Sequence, residues 1–412
     1  MKNKSSSLWK KANLLIPTGN SFLSKNRSRH PSKLWPVYFD KSKGCEIWDY
    51  DGKKYYDFSY MGVGTNVLGY SNPKIDNKLF KILKKGNMTT LNCPEEPKFA
   101  DKILKPHAWA KMAKFAKTGA EANAIAIRLA RAHTKKNKII LCGYHGWHDW
   151  YLAAKFNPKS YMETHLFPKL KIQGVPNFLK GSVFSVKYNS FEEIKKIFKK
   201  NKDIAAIIME VKRFEEPKKN YLSLIRNFCT KNNICLIFDE CTTGFRENYG
   251  GLHLKYKINP DLAMFGKAIG NGYSITTVIG KKKIMDCAKK SFISSTFWSE
   301  RIGFAAGLLT LNQMRKIKSW KVIKKKGKII KTNLIKLANK YKIKIRIEGN
   351  DSLFQFFLDD VLVKDYKKFI AEEMIKKNFL ASNIIYVSVA HSNILIKKYL
   401  KNMDAIFKKL KK

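Results

Sequence analysis

Apolar and polar positions along the chain fall into three successive rhythms. Residues 44–58, Gly-Cys-Glu-Ile-Trp-Asp-Tyr-Asp-Gly-Lys-Lys-Tyr-Tyr-Asp-Phe, read as two aromatic-rich strands around an Asp51-Gly52 turn, a strong local hairpin signal. From there to about residue 280, short apolar runs take turns with amphipathic segments. The runs at 112–117, 138–142, 204–211, 234–238, 262–265 and 274–279 predict strands. The segments at 121–134 and 223–233, with apolar residues three and four apart, predict helices. Such alternation predicts a mostly parallel sheet covered on both faces. A helix beginning near Arg301 continues through 311–314, and beyond it the character changes again. Basic helices at 364–377 and 397–410 mix with strands at 343–347 and 352–358.

The expected architecture is α/β: a large domain over 60–312 with a mostly parallel central sheet, and a smaller α+β domain built from both chain ends. The amino-terminal segment 1–59, with its hairpin, and residues 313–412 make up that smaller domain. A length of 412 residues is enough for two or three domains with a sizeable core. No internal repeat and no Pro- or Ser-rich linker interrupts the chain, so closely packed domains are expected.

Composition narrows the class. With 44% apolar, 13% aromatic and 27% charged residues, a natively unfolded chain is excluded. A net charge of +49 would ordinarily suggest nucleic acid or an anionic membrane. Ten arginines leave 71 of the 81 basic residues as lysine, spread from end to end, which fits a general compositional bias better than a binding patch. Nucleic acid is therefore a runner-up partner. No apolar stretch approaches the roughly 20 residues that span a bilayer, and Met1-Lys2-Asn3-Lys4-Ser5 leads into no signal-peptide run, so a cytoplasmic protein is expected. Seven cysteines, odd in number and without a CxxC pair, suggest a reducing compartment. Cys142, His145 and His148 fall at ligand-like spacing, but no further ligand is evident, and no metal site is expected.

In an open α/β sheet, ligands bind beyond the carboxyl ends of the strands, and four such places stand out. Thr118-Gly119-Ala120-Glu121 opens a helix whose free N–H groups suit a phosphate, although a plain strand-to-helix connection would look the same. Gly143-Tyr144-His145-Gly146-Trp147-His148 groups aromatic and imidazole rings, or is simply a packed loop. Asp239-Glu240 puts acids at the end of a buried strand, where they need a cationic partner or cap a helix. Gly266-Lys267 puts a lysine on a glycine-hinged turn, one among 71. Taken together, a phosphate cradle, an aromatic ring, a buried carboxylate and a lysine at one sheet edge are the four groups that pyridoxal 5'-phosphate needs.

These residues resemble the class-III pyridoxal-phosphate aminotransferases, and within that family its glutamate-1-semialdehyde aminomutase branch. The resemblance is carried by Trp48-Asp49-Tyr50-Asp51-Gly52, Gly119-Ala120-Glu121-Ala122, Ile127-Arg128-Leu129-Ala130-Arg131, Tyr144-His145-Gly146, Phe238-Asp239-Glu240, Thr243-Gly244-Phe245-Arg246, Pro260-Asp261-Leu262 and Phe265-Gly266-Lys267. It implies a fold-type-I transferase with Lys267 as the Schiff-base lysine, Asp239 at the ring nitrogen, Tyr144 stacked on the ring and Gly119-Ala120 at the phosphate. It also implies that Thr296 reaches the phosphate of a neighbouring subunit, hence a homodimer with shared active sites, acting on a small-molecule amino donor and a carbonyl acceptor.

The sequence departs from the family pattern at several points. Ala120 stands where many members have Ser or Thr. Glu210-Val211 replaces Glu-Pro, with Glu210 expected to keep its place in the site. The amino-terminal segment Asn20-Ser21-Phe22-Leu23-Ser24-Lys25-Asn26-Arg27 lacks the arginine that meets the substrate carboxylate in the aminomutases, leaving Lys25 or Arg27 as substitutes or as a solvated basic loop. Trp298-Ser299-Glu300 replaces small residues after the phosphate threonine. The open alternatives are a transaminase acting on a sugar or polysaccharide precursor, a catalytically silent scaffold of the same fold, and a basic nucleic-acid-binding protein.

Overall fold

The computed structural model describes residues 4–157, 160–162 and 172–411, so Met1 to Asn3 and Lys412 of the terminal segments lie outside the described residues. The chain forms two compact units, one made of Asn77–Arg315 and the other joining Met1–Asp76 to Lys316–Lys412.

Near the amino end, β1 (Phe39–Lys43), β2 (Glu46–Asp49) and β3 (Lys54–Asp57) pair antiparallel in succession. The expected hairpin is β2 and β3. Its turn carries Gly52 at φ 91°, a conformation that strains an L side chain, and Asp49 Oδ1 accepts the N–H groups of Asp51 and Lys53 at 3.1 and 2.8 Å. The outer strand β1 was not expected, because Phe-Asp-Lys-Ser-Lys is polar and mostly exposed and shows no apolar alternation.

The larger unit is built on β4 (Met112–Ala116), β5 (Lys138–Cys142), β6 (Val183–Ser185), β7 (Ile204–Met209), β8 (Cys235–Asp239), β9 (Leu262–Phe265) and β10 (Thr276–Gly280). Their order is β4-β10-β9-β8-β7-β5-β6. Neighbours are parallel except at β10, which is antiparallel to both β4 and β9. The edge strand β6 escaped the sequence pattern because three residues are too few to show a period.

Alternate residues of the central strands feed opposite layers of core. Ile139, Leu141, Ala206, Ile208 and Ile237 pack on one face with the helix Gly119–Thr134. Ile140, Cys142, Ile207, Met209, Leu236 and Phe238 pack on the other with Ile194 and Ile225 of the helices Phe191–Lys200 and Tyr221–Lys231. Burying each aliphatic side chain contributes about 1.5–3 kcal/mol relative to exposure, which explains why these runs are apolar at every position instead of at every second one. Because β4, β9, β8, β7 and β5 point the same way, their carboxyl ends form one edge.

In the other unit, β11 (Lys344–Asn350), β12 (Leu353–Asp359) and β14 (Ile384–Tyr386) form an antiparallel sheet, while the two-residue β13 (Phe379–Leu380) pairs parallel with β3 through Phe379–Tyr56 and Leu380–Asp57. One sheet therefore holds both chain ends. The helices Ser319–Lys340 and Asn393–Lys411 pack together beside it, and Phe58 stacks on Tyr399 at 5.0 Å and on His391 at 4.2 Å.

Candidate active site

Asp239 ends β8, and its side chain is buried. Asn123 Nδ2 donates to its Oδ2 at 2.8 Å, His145 Nδ1 lies 2.9 Å from the same oxygen, and the Cys241 N–H donates to Oδ1 at 3.0 Å. Burial pushes the Asp239 carboxyl up, but the hydrogen bond and charge of His145, with Asn123 and the Cys241 N–H, outweigh it and hold the carboxyl below the ordinary aspartate value. An ionised acid is thus kept inside the protein, where an unpartnered one would be strongly disfavoured.

The same loop reaches Lys267. Three residues after Asp239, Thr242 Oγ1 accepts a hydrogen bond from Lys267 Nζ at 2.7 Å. Lys267 follows the end of β9 and has φ 45°, a left-handed conformation uncommon for a side-chain-bearing residue. Before it, Gly266 sits close to its neighbours: a Cβ there would stand 3.0 Å from Thr276 Cγ2 and 3.4 Å from Cys241 Sγ, so Thr276 would have to give slightly. Adjacent strands therefore deliver the acid and the amine to one loop, Asp239-Glu240-Cys241-Thr242.

The helix Gly119–Thr134 begins with a reciprocal cap. Thr118 Oγ1 accepts from the Glu121 N–H, and Glu121 Oε2 accepts from the N–H groups of Lys117 and Thr118. The N–H groups of Gly119 and Ala120 have no partner among the described residues, so two donors at the positive end of a 16-residue helix are left for an anion. Gly146 closes over this turn: its φ is +112°, and a Cβ would lie 2.6 Å from Ala120 Cβ. Asn123 Oδ1, buried on the same helix, also lacks a partner among the described residues.

Beyond β5, Tyr144 is 40% exposed and meets the buried Tyr151 edge-on at 5.9 Å. Burial raises its phenol above the ordinary value, with Arg213 working against that shift. Glu210, just after β7, packs on the backbone of Gly143, where a Cβ would stand 3.0 Å from Glu210 Oε2. Arg213 Nη1 is 3.8 Å from that oxygen. Thus Lys267, Asp239, Gly119, Ala120, Tyr144 and Glu210 all follow or end strands at one sheet edge.

Thr296 is placed differently. It is exposed on a single 3-10 turn, Thr296–Ser299, and lines a hollow of about 340 Å3 with Ala113, Phe115 and Trp298 outside the edge strand β4. Trp298 Nε1 donates to Glu121 Oε1 at 3.0 Å, so the tryptophan that departs from the family pattern braces the helix cap. Lys25 and Arg27 belong to the unit of the chain ends, on one-turn 3-10 segments. His145 turns its nitrogens to Asp239 and to the Cys142 carbonyl oxygen, and among the described residues no group of three or more His, Cys, Asp or Glu side chains is placed to hold a metal ion.

Asn123, Thr242 and Arg213 were not foreseen. A lone Asn inside a helix or a Thr in a loop carries no periodic or spacing signal, and only the fold brings them to Asp239 and Lys267. For Arg213 a signal existed: Glu210-Val211-Lys212-Arg213 puts two cations beside a conspicuous acid.

The model of the family "Aminotransferase class-III" matches residues 27–380. A glutamate-1-semialdehyde 2,1-aminomutase of Nitrosopumilus maritimus is 32% identical over 98% of this chain and 99% of its own length. A 3-aminobutyryl-CoA aminotransferase of Cloacimonas acidaminovorans is 31% identical over 84% of this chain and 81% of its own. Among solved structures, an omega-transaminase from Sphaerobacter thermophilus superimposes with a TM-score of 0.88 at 19% identity, covering 100% of this chain and 98% of that one. The FumI protein of Sphingopyxis sp. MTA144, in a PLP internal aldimine form, gives 0.87 at 23% identity, covering 98% and 96%.

Proposed function

The chain belongs to the class-III aminotransferase family, and we propose that Lys267 and Asp239 are the residues through which it does that family's work. It is a fold-type-I, pyridoxal-phosphate-dependent enzyme that moves an amino group from a small-molecule donor to a carbonyl acceptor. When bound, pyridoxal phosphate supplies an aldehyde that condenses with amines and a protonated ring that draws electrons from the carbon bearing the nitrogen.

The residues fit this group. Lys267 Nζ is the amine that would tether the aldehyde, and once free it would take and return the proton of the substrate carbon. Asp239, held ionised, keeps the proton on the ring nitrogen. The N–H groups of Gly119 and Ala120 would hold the phosphate, Tyr144 would stack on the ring, and Glu210 would keep its place in the site. The observation that supports the assignment is the loop Asp239-Glu240-Cys241-Thr242, which anchors the acid at one end and hydrogen-bonds the lysine at the other.

The test is colour. Purified protein is expected to be yellow through the tethered cofactor, and Lys267→Ala to lose that band. An unchanged visible spectrum in the variant would sink the assignment.

The named activities of its relatives set two courses for the amino group, to a second molecule or to the neighbouring carbon of the same one. Turnover of glutamate-1-semialdehyde alone, with the product identified by NMR because an intramolecular transfer leaves the mass unchanged, separates them. The exposed Thr296 supports a homodimer in which the partner subunit's Thr296 reaches the phosphate. Sedimentation gives the oligomeric state, and Thr296→Ala is expected to weaken cofactor binding. Cysteines 45, 93, 142, 229, 235, 241 and 287 are all free, which supports a reducing, cytoplasmic location. Among the described residues no helix is long and apolar enough to cross a membrane.

A further inference from the structure

We propose that Trp298 is a positioning residue of the phosphate cradle: its indole N–H holds the Glu121 carboxylate away from the two N–H groups that would receive the cofactor's phosphate. The inference deepens the reading given above and rests on it, since it takes Gly119 and Ala120 as the phosphate donors.

Glu121 is the third residue of the helix Gly119–Thr134, so its negative charge enters the same first turn as the two open donors. A carboxylate there stabilises a bare helix end, but it opposes a phosphate dianion arriving at that end and is itself an acceptor for first-turn N–H groups. Occupying both of its oxygens removes the competition. Oε2 accepts the N–H groups of Lys117 and Thr118 at 3.1 and 2.8 Å and the Thr118 hydroxyl at 3.0 Å. Oε1 has one hydrogen-bond donor among the described residues, Trp298 Nε1 at 3.0 Å. The charge is thereby kept at the Lys117-Thr118 backbone, and the N–H groups of Gly119 and Ala120 stay open. Burial pushes the Glu121 carboxyl up, but the Trp298 bond, ahead of those from Thr118 and Lys117, turns the balance and holds it below the ordinary glutamate value.

The indole comes from a segment that is itself held. Trp298 is partly buried against the core layer that includes Ala122, Ile125 and Ala126 of the same helix. Two residues on, Glu300 pairs with Lys117 Nζ at 2.8 Å and accepts from Asn87 Nδ2 at 3.1 Å. Residues 298 and 300 are thus tied to the two residues that bracket the turn, 121 and 117. A small side chain at 298 would leave Glu121 Oε1 without this donor. Ala120 brings no hydroxyl to a phosphate, so more of the binding falls on the two backbone N–H groups, and keeping them unopposed matters more.

Trp298→Phe keeps a ring at the position and deletes the N–H. Absorbance titration of the apoprotein compares pyridoxal 5'-phosphate with pyridoxal, which carries the same aldehyde and ring but no phosphate. The substitution is expected to weaken pyridoxal 5'-phosphate about tenfold, the scale of a hydrogen bond to a charged group, and to leave pyridoxal within about twofold of wild type. In a Glu121→Ala background it should change neither affinity, because no carboxylate remains to be held. At saturating cofactor, the phosphorus NMR resonance of the bound phosphate should also move in Trp298→Phe. Unchanged affinity for the phosphorylated ligand, an equal loss for both ligands, which marks a merely structural role, or a loss that persists in Glu121→Ala overturns the inference. Those results would leave the yellow band and its loss in Lys267→Ala intact, whereas failure of the proposed function leaves no such band to lose, whatever Trp298→Phe does.

Discussion

His145 Nδ1 lies 2.9 Å from Asp239 Oδ2, and its Nε2 lies 3.2 Å from the Cys142 carbonyl oxygen. Both ring nitrogens face acceptors, and a neutral imidazole, with one N–H, could serve only one of them. The two contacts join the end of β5 to the end of β8 beside the buried acid. The site's acid is thus prepared by a neighbour that need not touch substrate.

Asp239→Asn is expected to keep cofactor bound, since the phosphate donors and Lys267 are untouched, but to slow turnover about a hundredfold or more. Single-turnover absorbance changes after mixing with an amino donor measure this; a rate within a few-fold of wild type would remove Asp239 from its role. His145→Asn acts one step back. With the His145 contact gone, burial is less opposed and the Asp239 carboxyl rises from its lowered position. The acid limb of the kcat profile should therefore move to higher pH, where a merely structural role for His145 would lower kcat equally at all pH values.

Gly146→Ala tests the phosphate cradle. The new Cβ would sit 2.6 Å from Ala120 Cβ and 2.9 Å from its Cα, at a φ of +112° that L residues rarely adopt. No rotamer relieves a clash with backbone, so the helix start must shift. We expect a loss of about 1–3 kcal/mol in unfolding free energy and a weaker cofactor Kd, read by urea titration and by absorbance titration of apoprotein. Unaltered cofactor affinity would separate this turn from the phosphate.

How far the sequence could be read follows from which residues carry local signals. The runs at 138–142 and 262–265 coincide with β5 and β9 because doubly covered strands are apolar throughout. The run at 204–211 overran β7 by two residues, since Glu210 and Val211 are buried for the sake of the site and not of the sheet. Lys267 and Asp239 were legible because each follows a strand and matches a family motif. Thr242 and Asn123 were not, because their meaning lies in contacts with Lys267 and Asp239 that no spacing along the chain encodes.

His391 gives the unit of the chain ends a predictable acid response. Its Nδ1 accepts the Ser388 N–H at 3.2 Å, so the proton must sit on Nε2, which donates to the Asp57 carbonyl oxygen at 2.8 Å. Protonating Nδ1 would turn the Ser388 N–H against a second donor inside a core where the ring stacks on Phe58. Burial accordingly lowers its pKa from 6.5 to about 4, the Asp57 carbonyl oxygen opposing and Lys326 adding to the shift. The sign follows: between pH 6.5 and 4 the unfolded chain holds this proton and the folded one does not, so stability falls as the pH drops through that window and His391 adds no slope above it. Urea unfolding at several pH values in the window, followed by circular dichroism, should show a slope that His391→Asn reduces by close to one proton, about 1.4 kcal/mol per pH unit. The variant starts from a lower stability because the Asp57 contact is lost, but slope and intercept are independent readouts. A slope identical to wild type would mean that His391 is already protonated in the fold, and that the tautomer drawn from Ser388 is wrong.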